Sequence, residues 1–202
     1  MIKLENIQVM NMENAIRGAR NPLNSWGRMD SYYEDGIFVL GPNDLDLAKR
    51  LRKAGPDHRK YMRQIFVSMD ITAPLYWWKE FDTYKVGTCS NSCSTMHTIH
   101  KKPFELSDFS FESFEGHEIV LKLIITELNM YREHFVKTAD KAFWLKMIQL
   151  LPSSFNQKRT ITMTYENLVN MYHARKTHKL DEWRQFCHIV EDLPYAKELI
   201  IG

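Results

Sequence analysis

The sequence predicts an α+β fold that is rich in helices and poor in strands. Apolar residues recur at the spacing of a helix in several segments, whereas only a few short segments alternate apolar and polar residues. Glycine and proline mark the turns between these segments. With 202 residues, 44% of them hydrophobic, the chain is long enough to bury one core, and we expect a single domain over residues 1–202.

The N-terminal quarter predicts one strand and two helices. The strand would lie within "MIKLENIQVM", and the first helix within "NMENAIRGARN", ending near Pro22. Asn43 and Asp44 predict the N-terminal cap of the second helix, "DLDLAKRLRKAG", which Gly55 ends. Its apolar face would carry Leu45, Leu47, Ala48 and Leu51.

The clearest strand signal follows at residues 65–71, and Pro74 ends it. We expect its buried face to carry Ile65, Val67, Met69 and Ile71. A helix of about three turns is predicted for "LYWWKEFDTYKVG", with Gly87 near its end. The polar stretch "TCSNSCSTMHTIHKKPFELSDFSFES" is the longest predicted loop.

The C-terminal half predicts four helices and one short strand. The strongest helical period runs through residues 118–131 and predicts that Ile119, Leu123, Ile124 and Leu128 point inward. A second helix, "KAFWLKMIQLLP", ends at Pro152, and "TITMTY" is a short strand. The last helices are "ENLVNMYHARKTH" and "LDEWRQFCHIVEDLPYAKELI".

Composition excludes several function classes. A net charge of +2 is too small to predict nucleic-acid binding, and no apolar stretch is long enough for a signal peptide or a membrane span. Three cysteines do not suggest a disulfide framework, so we expect a cytoplasmic protein. The glycine-rich nucleotide motifs are absent from the sequence.

Two cysteines and a histidine stand at four-residue spacing. On a helix, Cys89, Cys93 and His97 would share one face, which raises the alternatives of a zinc site and a reactive thiol. A zinc site needs a fourth ligand, and a nucleophilic cysteine needs a base that lowers its pKa. We favour cysteines that merely pack, and we predict no metal site.

The order of signals in the middle of the chain resembles the flavin-dependent thymidylate synthases, the ThyX family. Gly55, His58, the strand at residues 65–71 and Ala73-Pro74 follow the family order, and Lys79-Glu80 takes the place of its Arg-Gln pair. A second block keeps Leu151-Pro152, Leu168, Asn170 and Arg175, and "ENAIRGARNPLNS" resembles the family's early arginine segment.

The family signature, Arg-His-Arg-x-x-Ser-x-Asn-Glu-x-Ser-x-Arg, falls on residues 83–95. Laid without gaps, its Arg-His-Arg triplet matches Thr83-Tyr84-Lys85. Its first Ser, Glu, second Ser and last Arg match Thr88, Asn91, Cys93 and Thr95. A shift of one residue instead places Asn91 on the family Asn and Ser94 on the second Ser.

The resemblance implies a ThyX-like homotetramer with a central antiparallel sheet flanked by helices. It implies active sites at subunit interfaces that hold FAD and deoxyuridine monophosphate (dUMP), with NADPH and methylenetetrahydrofolate as co-substrates. Arg175 would be catalytic, holding the pyrimidine and stabilising its negative charge. The substrate-binding residues would be Glu80, Lys85, Asn91, Cys93, Thr95 and Arg175. The cofactor-binding residues would be His58, Tyr84, Lys85, Thr88 and Asn170.

Departures from the family pattern leave a second interpretation open. Ile148 and Glu166 stand where the family has arginines, and each lost charge removes a contact worth about 1.5–3 kcal/mol. Lys146, Lys158 or Arg159 could compensate. The alternative to an enzyme is a non-catalytic or repurposed ThyX-fold protein that binds a nucleotide or a protein partner.

Overall fold

The computed structural model describes residues 2–114 and 116–202 and has the mixed α+β architecture that the sequence predicts. The strands are β1 (Lys3–Met10), β2 (Tyr32–Glu34), β3 (Ile37–Val39), β4 (Phe66–Pro74), β5 (Cys89–Ser92) and β6 (Asn156–Thr164). The α-helices are α1 (Met12–Ala19), α2 (Pro42–Lys53), α3 (Leu75–Phe81), α4 (Thr95–Thr98), α5 (Ile119–Thr138), α6 (Lys141–Leu150), α7 (Tyr165–Arg175) and α8 (Asp181–Glu191). Short 3₁₀ turns, the longest at Arg59–Gln64, and a π-helical segment at Lys197–Ile201 complete the assignment.

Two sheets organise the strands. The larger has the order β1-β4-β6-β5, and the smaller is the antiparallel hairpin β2-β3, in which Tyr32 lies opposite Val39. The hairpin turns at Asp35-Gly36, both with positive φ (49° and 79°), as expected for an Asp-Gly turn. The four residues predicted for the buried face at 65–71 are at most 1% exposed, which confirms that prediction.

The chain forms two compact units. Unit 1 comprises residues 2–3, 71–83, 91–114 and 116–160, and it contains α3 to α6. Its core brings Leu128 of α5 and Met147 of α6 against Phe104, Phe109 and Ile99. All five side chains are at most 5% exposed.

Helix α5 is longer than predicted, and part of its inward face was assigned wrongly. Leu128 is fully buried and Ile124 packs on the unit 1 core, as expected. Ile119 and Leu123, however, are 70% and 62% exposed. Apolar residues occupy more of this helix than one face can bury, so periodicity could not tell which of them face the core.

Unit 2 comprises residues 4–70, 84–90 and 161–202. Its helices α7 and α8 pack against each other, and α1 and α2 pack against the turn at Arg59–Gln64. The largest fully buried side chains of this unit are those of Trp183, Tyr165, Phe186, Ile16, Met62, Ile65 and Met69.

The predicted cap of α2 is wrong. The helix begins at Pro42 after Gly41, and neither Asn43 nor Asp44 is the capping residue. Instead the Asp30 side chain accepts hydrogen bonds from the backbone N–H groups of Asn43 and Asp44, at 2.8 and 3.0 Å. A Cβ at Gly41 would lie 2.3 Å from Asp30, so glycine is required for this external cap.

Two further predictions are corrected between α3 and Ser113. The helix predicted to reach Gly87 ends at Phe81. The stretch predicted as one loop contains β5 and α4, so Cys89 and His97 lie on different elements and share no helix face with Cys93. Local polarity hid the strand because β5 is an exposed edge strand next to β6.

Among the residues that the structure describes, no helix is long and apolar enough to cross a membrane.

Candidate functional site

The segment after β5 is held against β6 in unit 1. The backbone N–H of Cys93 donates to the carbonyl of Lys158 at 2.9 Å, which extends the pairing beyond the end of the strand. Ser94 then caps α4 by accepting from the backbone N–H of His97. Two predicted substrate-binding residues, Cys93 and Thr95, are therefore placed by an ordered turn.

Gln157 of β6 connects these two residues. Gln157 is only 9% exposed. Its Nε2 donates to the carbonyl of Cys93 at 2.9 Å and to Thr95 Oγ1 at 3.3 Å. Its Oε1 accepts from Arg159 Nε at 2.9 Å. A cationic donor on Oε1 fixes which end of the amide faces the turn.

Arg159 is itself held on three sides. Its Nη1 pairs with Asp82 Oδ1 at 2.8 Å, and its guanidinium carbon lies 4.2 Å from the centre of the Trp78 ring. The side chain is 14% exposed, so the ion pair is partly shielded from water. Asp82, Arg159 and Gln157 thus form a relay that orients the turn at Cys93.

A cavity of about 460 Å³ opens beside this turn, within the usual range for small-molecule sites. Phe104 and Ile99, each 5% exposed, belong to its apolar part. The polar part includes Cys93, Thr95, Asn156, Gln157, Asp108, Lys101, Lys102 and Lys158. We call this space the lysine cavity.

Arg175, predicted to be catalytic, lies at the end of α7 in unit 2. Its Nε donates to the hydroxyl of Tyr84 at 2.9 Å, and its Nη1 lies 2.9 Å from His178 Nε2. Its guanidinium carbon is 4.7 Å from the Trp183 ring centre. We call this group of Arg175, Tyr84, His178 and Trp183 the arginine box.

The segment that matches the family triplet is tied to α7. Thr88 Oγ1 donates to the Tyr84 carbonyl at 2.5 Å, and Asn167 Nδ2 donates to the Val86 carbonyl at 2.7 Å. Gly87 has a φ of +77°, and a Cβ there would lie 3.1 Å from Asn167 Oδ1. The hydroxyls predicted to bind flavin, those of Tyr84 and Thr88, are therefore engaged within the chain.

Glu166 provides a charge cluster on the same helix. It accepts from Arg59 Nε at 3.3 Å and from Arg63 Nε, while Arg59 Nη2 donates to Asn170 Oδ1 at 3.1 Å. Asn170 was predicted to bind cofactor, and Glu166 stands where the resembled family has an arginine. The positive charge here is carried by the turn at Arg59–Gln64 instead of α7.

His58, another predicted cofactor residue, lines a second cavity in unit 2 of about 640 Å³. Lys60, Arg63, Tyr61 and Asp57 also line it. Arg63 is already paired with Glu166, so His58 and Lys60 are the groups of this lining that could meet an anion, beside the carboxylate of Asp57. We call this space the His58 cavity.

The other predicted residues lie apart from these clusters. Glu80 is half-buried in α3, Asn91 is exposed in β5, and Lys85 is exposed in the turn before Gly87. Cys89 and Cys93 are exposed free thiols, so the expectation that they merely pack is wrong. Burial raises the pKa of the Cys187 thiol to about 11. Within residues 2–114 and 116–202, no three His, Cys, Asp or Glu side chains converge as a metal site.

Sequence reasoning missed the residues that shape the lysine cavity. Gln157, Lys101 and Lys102 match no motif. Alternation along β6 puts Gln157 and Arg159 on one side of the strand, but the length of that strand was underestimated. Their shared target at Cys93 is 64 residues away from Gln157 in the sequence, beyond the reach of local patterns.

Solved structures share this fold. Thymidylate Synthase X (ThyX) from Helicobacter pylori with FAD and dUMP gives a TM-score of 0.74 at 16% identity, over 99% of this chain and 97% of that chain. A second structure of the flavin-dependent enzyme from this organism, complexed with FAD and dUMP, gives a TM-score of 0.74 at 16% identity, over 98% and 97%.

A third structure has a different activity in its description. PolB from Streptomyces cacaoi, a UMP/dUMP methylase bound with 5-Br dUMP, gives a TM-score of 0.64 at 14% identity, over 98% of this chain and 91% of that chain. No protein-family model matches the chain, and no curated protein matches it. The likeness confirms the predicted α+β, ThyX-like fold with an antiparallel sheet.

Proposed function

We propose that this chain is a flavin-dependent enzyme that reductively methylates dUMP or a related pyrimidine nucleotide. Methylenetetrahydrofolate would supply the carbon and NADPH the reducing equivalents. The observation that carries the proposal is the fold, which this chain shares over nearly its whole length with a ThyX solved with FAD and dUMP. The likeness to a UMP/dUMP methylase supports widening the substrate class to both pyrimidine nucleotides.

The lysine cavity supports a nucleotide as the substrate. Its volume of about 460 Å³ suits a small ligand, and it joins apolar surface to three lysines. Cys93 and Thr95, predicted to bind substrate, both line it. A base and a sugar would occupy the apolar part, and a phosphate would meet the lysines.

Of the residues predicted to bind flavin, His58 lines a cavity that fits the cofactor, whereas Tyr84 and Thr88 fit it poorly. The His58 cavity offers about 640 Å³ with His58 and Lys60 in its lining, which suits the diphosphate of a dinucleotide, whereas Arg63 is already paired with Glu166. Tyr84 and Thr88 fit poorly, because their hydroxyls already take part in hydrogen bonds within the chain. When bound, the reduced flavin supplies the hydride; the protein residues bind and orient.

Arg175 keeps its proposed role of stabilising negative charge on the pyrimidine. Its guanidinium is fixed by Tyr84 and His178, so it would act as a preorganised charge that needs no reorientation during the reaction. We also propose a homotetramer, in which active sites lie at subunit interfaces. The exposed apolar residues of α5, including Ile119 and Leu123, offer surface for subunit contact.

A non-catalytic nucleotide-binding protein is the second candidate. The hydrogen bonds that occupy Tyr84 and Thr88 favour it, because the family triplet has here become part of the packing of α7. Such a protein would bind dUMP or UMP without consuming NADPH or releasing the proton from carbon 5.

The two candidates are separated by a tritium-release assay. Purified protein is incubated with FAD, NADPH, methylenetetrahydrofolate and dUMP or UMP tritiated at carbon 5. The proposed function predicts release of tritium together with a methylated nucleotide. Nucleotide binding without release would establish the second candidate, and neither binding nor release would exclude both.

A matched pair of histidine variants tests the flavin site. His58→Ala is expected to weaken FAD uptake, because His58 lines the His58 cavity. His117→Ala, also at an exposed histidine, is expected to leave uptake unchanged. Equal uptake by both variants would place the flavin elsewhere.

A further inference from the structure

We infer that the Thr95 hydroxyl donates a hydrogen bond to a ring carbonyl oxygen of the pyrimidine in the lysine cavity, and that Gln157 and Arg159 are positioning residues that direct its proton there. This inference rests on the proposed function and deepens it by naming a contact to the base. The resembled signature has an arginine at this position, whereas Thr95 is neutral. Its contribution therefore depends on where its one hydroxyl proton points.

Arg159 determines which end of the Gln157 amide faces Thr95. A guanidinium can only donate hydrogen bonds, so the Gln157 atom that lies 2.9 Å from Arg159 Nε must be the carbonyl oxygen, Oε1. The amide nitrogen, Nε2, therefore lies on the side of Thr95 Oγ1, at 3.3 Å, and it can only donate. Gln157 is 9% exposed and Arg159 is 14% exposed, so both contacts are partly shielded from water.

The Thr95 hydroxyl keeps its proton for a ligand. A hydroxyl carries one donor and two acceptor sites, and the Gln157 amide occupies one of the acceptor sites. Within residues 2–114 and 116–202, no acceptor receives a hydrogen bond from Thr95 Oγ1. Thr98, which also lines the cavity, donates its hydroxyl proton to the Ser94 carbonyl at 2.7 Å. Thr95 is therefore the threonine of α4 that can donate to a ligand in the cavity.

Thr95 stands beside the apolar part of the cavity. The N–H of Ile99 donates to the Thr95 carbonyl at 3.0 Å, so Ile99 lies one helical turn after Thr95 on the same side of the turn. Ile99 is 5% exposed and borders the cavity together with Phe104 and Phe155, whose ring centres lie 6.3 Å apart. These side chains suit the face of a planar base and leave its carbonyl-bearing edge to a polar neighbour. A neutral donor beside them fits a carbonyl oxygen of uracil better than a phosphate, which favours charged donors.

Calorimetric titration with dUMP and with deoxyuridine tests this contact. Thr95→Val keeps the shape of the side chain but removes the hydroxyl, and it should weaken the binding of both ligands about tenfold, the upper end for a neutral hydrogen bond. Thr95→Ser keeps the hydroxyl and should bind both ligands as the unmodified protein does. Thr126→Val, at an exposed threonine of α5 outside the cavity, is the control and should leave both affinities unchanged.

A double-variant cycle shows whether Gln157 acts through Thr95. Gln157→Ala should weaken deoxyuridine binding about tenfold on its own but add little to Thr95→Val, so the double variant should also lose about tenfold. A purely structural role of Gln157, exerted through the Cys93 carbonyl, would give independent losses that multiply to about a hundredfold. Such independent losses would overturn the positioning role.

The outcomes separate this inference from the proposed function. If Thr95→Val binds deoxyuridine as the unmodified protein does, the inference is overturned, whether or not tritium is released from dUMP. A loss confined to dUMP, or a protein that binds dUMP but not deoxyuridine, would place the contact at the phosphate and also overturn it, as would binding of neither ligand. If both ligands show the expected losses and no tritium is released, the contact stands and the enzymatic function fails. Thermal unfolding of each variant shows whether a loss of binding comes from a loss of folding.

Discussion

The lysine cavity and the arginine box contain different parts of the same predicted site, and they use their side chains in opposite ways. In the arginine box, Arg175 Nε donates a hydrogen bond to the Tyr84 hydroxyl at 2.9 Å, and Trp183 is fully buried. In the cavity, Cys93 and Thr95 border open space of about 460 Å³. Residues that match a family motif thus serve packing in one region and face a cavity in the other.

This difference teaches that position in a motif and availability for a ligand are separate properties. A guanidinium held by planar partners contributes to stability as well as presenting a fixed charge, whereas an ammonium at the edge of a cavity contributes chiefly to binding. Substitutions should therefore affect unfolding in the box and affinity in the cavity.

The largest effect is expected for Trp183→Ala. Removing a fully buried indole that contacts Tyr84, Phe186 and Arg175 should lower the free energy of unfolding by about 3–5 kcal/mol. Trp26→Ala, at a residue 47% exposed, is the control and should cost far less. Denaturant unfolding measures both, and equal losses would contradict the view that the box is a packing unit.

Acid should destabilise unit 2 by protonating the buried carboxylate of Asp44. Burial alone would raise the pKa of this carboxyl, but hydrogen bonds from Ser31 and Arg20 outweigh it and hold the pKa below its ordinary value. The stabilisation is therefore present above the ordinary pKa of an aspartate and is lost as pH falls through the lowered value.

The Asp44→Asn variant tests the source of this pH dependence. It should lose about 3 kcal/mol near neutral pH, because Arg20 is left buried without its carboxylate. Its stability should also fall less steeply in acid than that of the unmodified protein. Asp46→Asn, at a carboxylate 65% exposed, is the control, and an equal change in both acid profiles would contradict the assignment.

Arg159→Ala should affect both the cavity and the fold. Without its donor to Gln157 Oε1, the amide loses its fixed orientation toward Cys93 and Thr95, and dUMP binding should weaken about tenfold. Because the side chain also covers Trp78 and pairs with Asp82, about 1–2 kcal/mol of stability should be lost. Gln157→Ala should repeat the binding defect. Unchanged dUMP binding in both variants would contradict the proposal that this relay orients the turn at Cys93.

A small effect is expected for Tyr84→Phe. The variant loses one hydrogen bond from Arg175 Nε and should cost about 1 kcal/mol in unfolding. FAD uptake should not change if the Tyr84 hydroxyl serves the box. Loss of FAD uptake with unchanged stability would restore the direct cofactor role that the family resemblance implies.

The smallest effect is expected for the double variant Cys89→Ser and Cys93→Ser. Both thiols are exposed, so folding and dUMP binding should stay within about 0.5 kcal/mol of the original. Bound zinc that is lost in this variant, measured by metal analysis, would revive the metal alternative.

The sequence predicted elements better than it predicted contacts. The strand at residues 65–71 and helices α6 and α7 follow from periodicity, because these segments bury one regular face. The last helix was predicted over residues 180–200, but α8 ends at Glu191, before Pro194, and a separate π-helical segment follows at Lys197–Ile201. The orientation of Ile119 and Leu123 did not follow, since an isolated pattern cannot show which apolar residues a neighbour covers. Motif order led to the prediction that Cys93, Thr95 and Arg175 belong to the site. Neither the relay through Gln157 nor the engagement of Arg175 by Tyr84 has a local signal, because each joins residues distant in the chain.

The visible absorption spectrum of the purified protein tests the proposed flavin chemistry most directly. After incubation with FAD and removal of free cofactor, we expect the bands of bound oxidised flavin, which disappear on reduction. Adding dUMP should shift these bands. A colourless protein that retains no FAD, yet unfolds cooperatively, would contradict the proposed function and leave the second candidate.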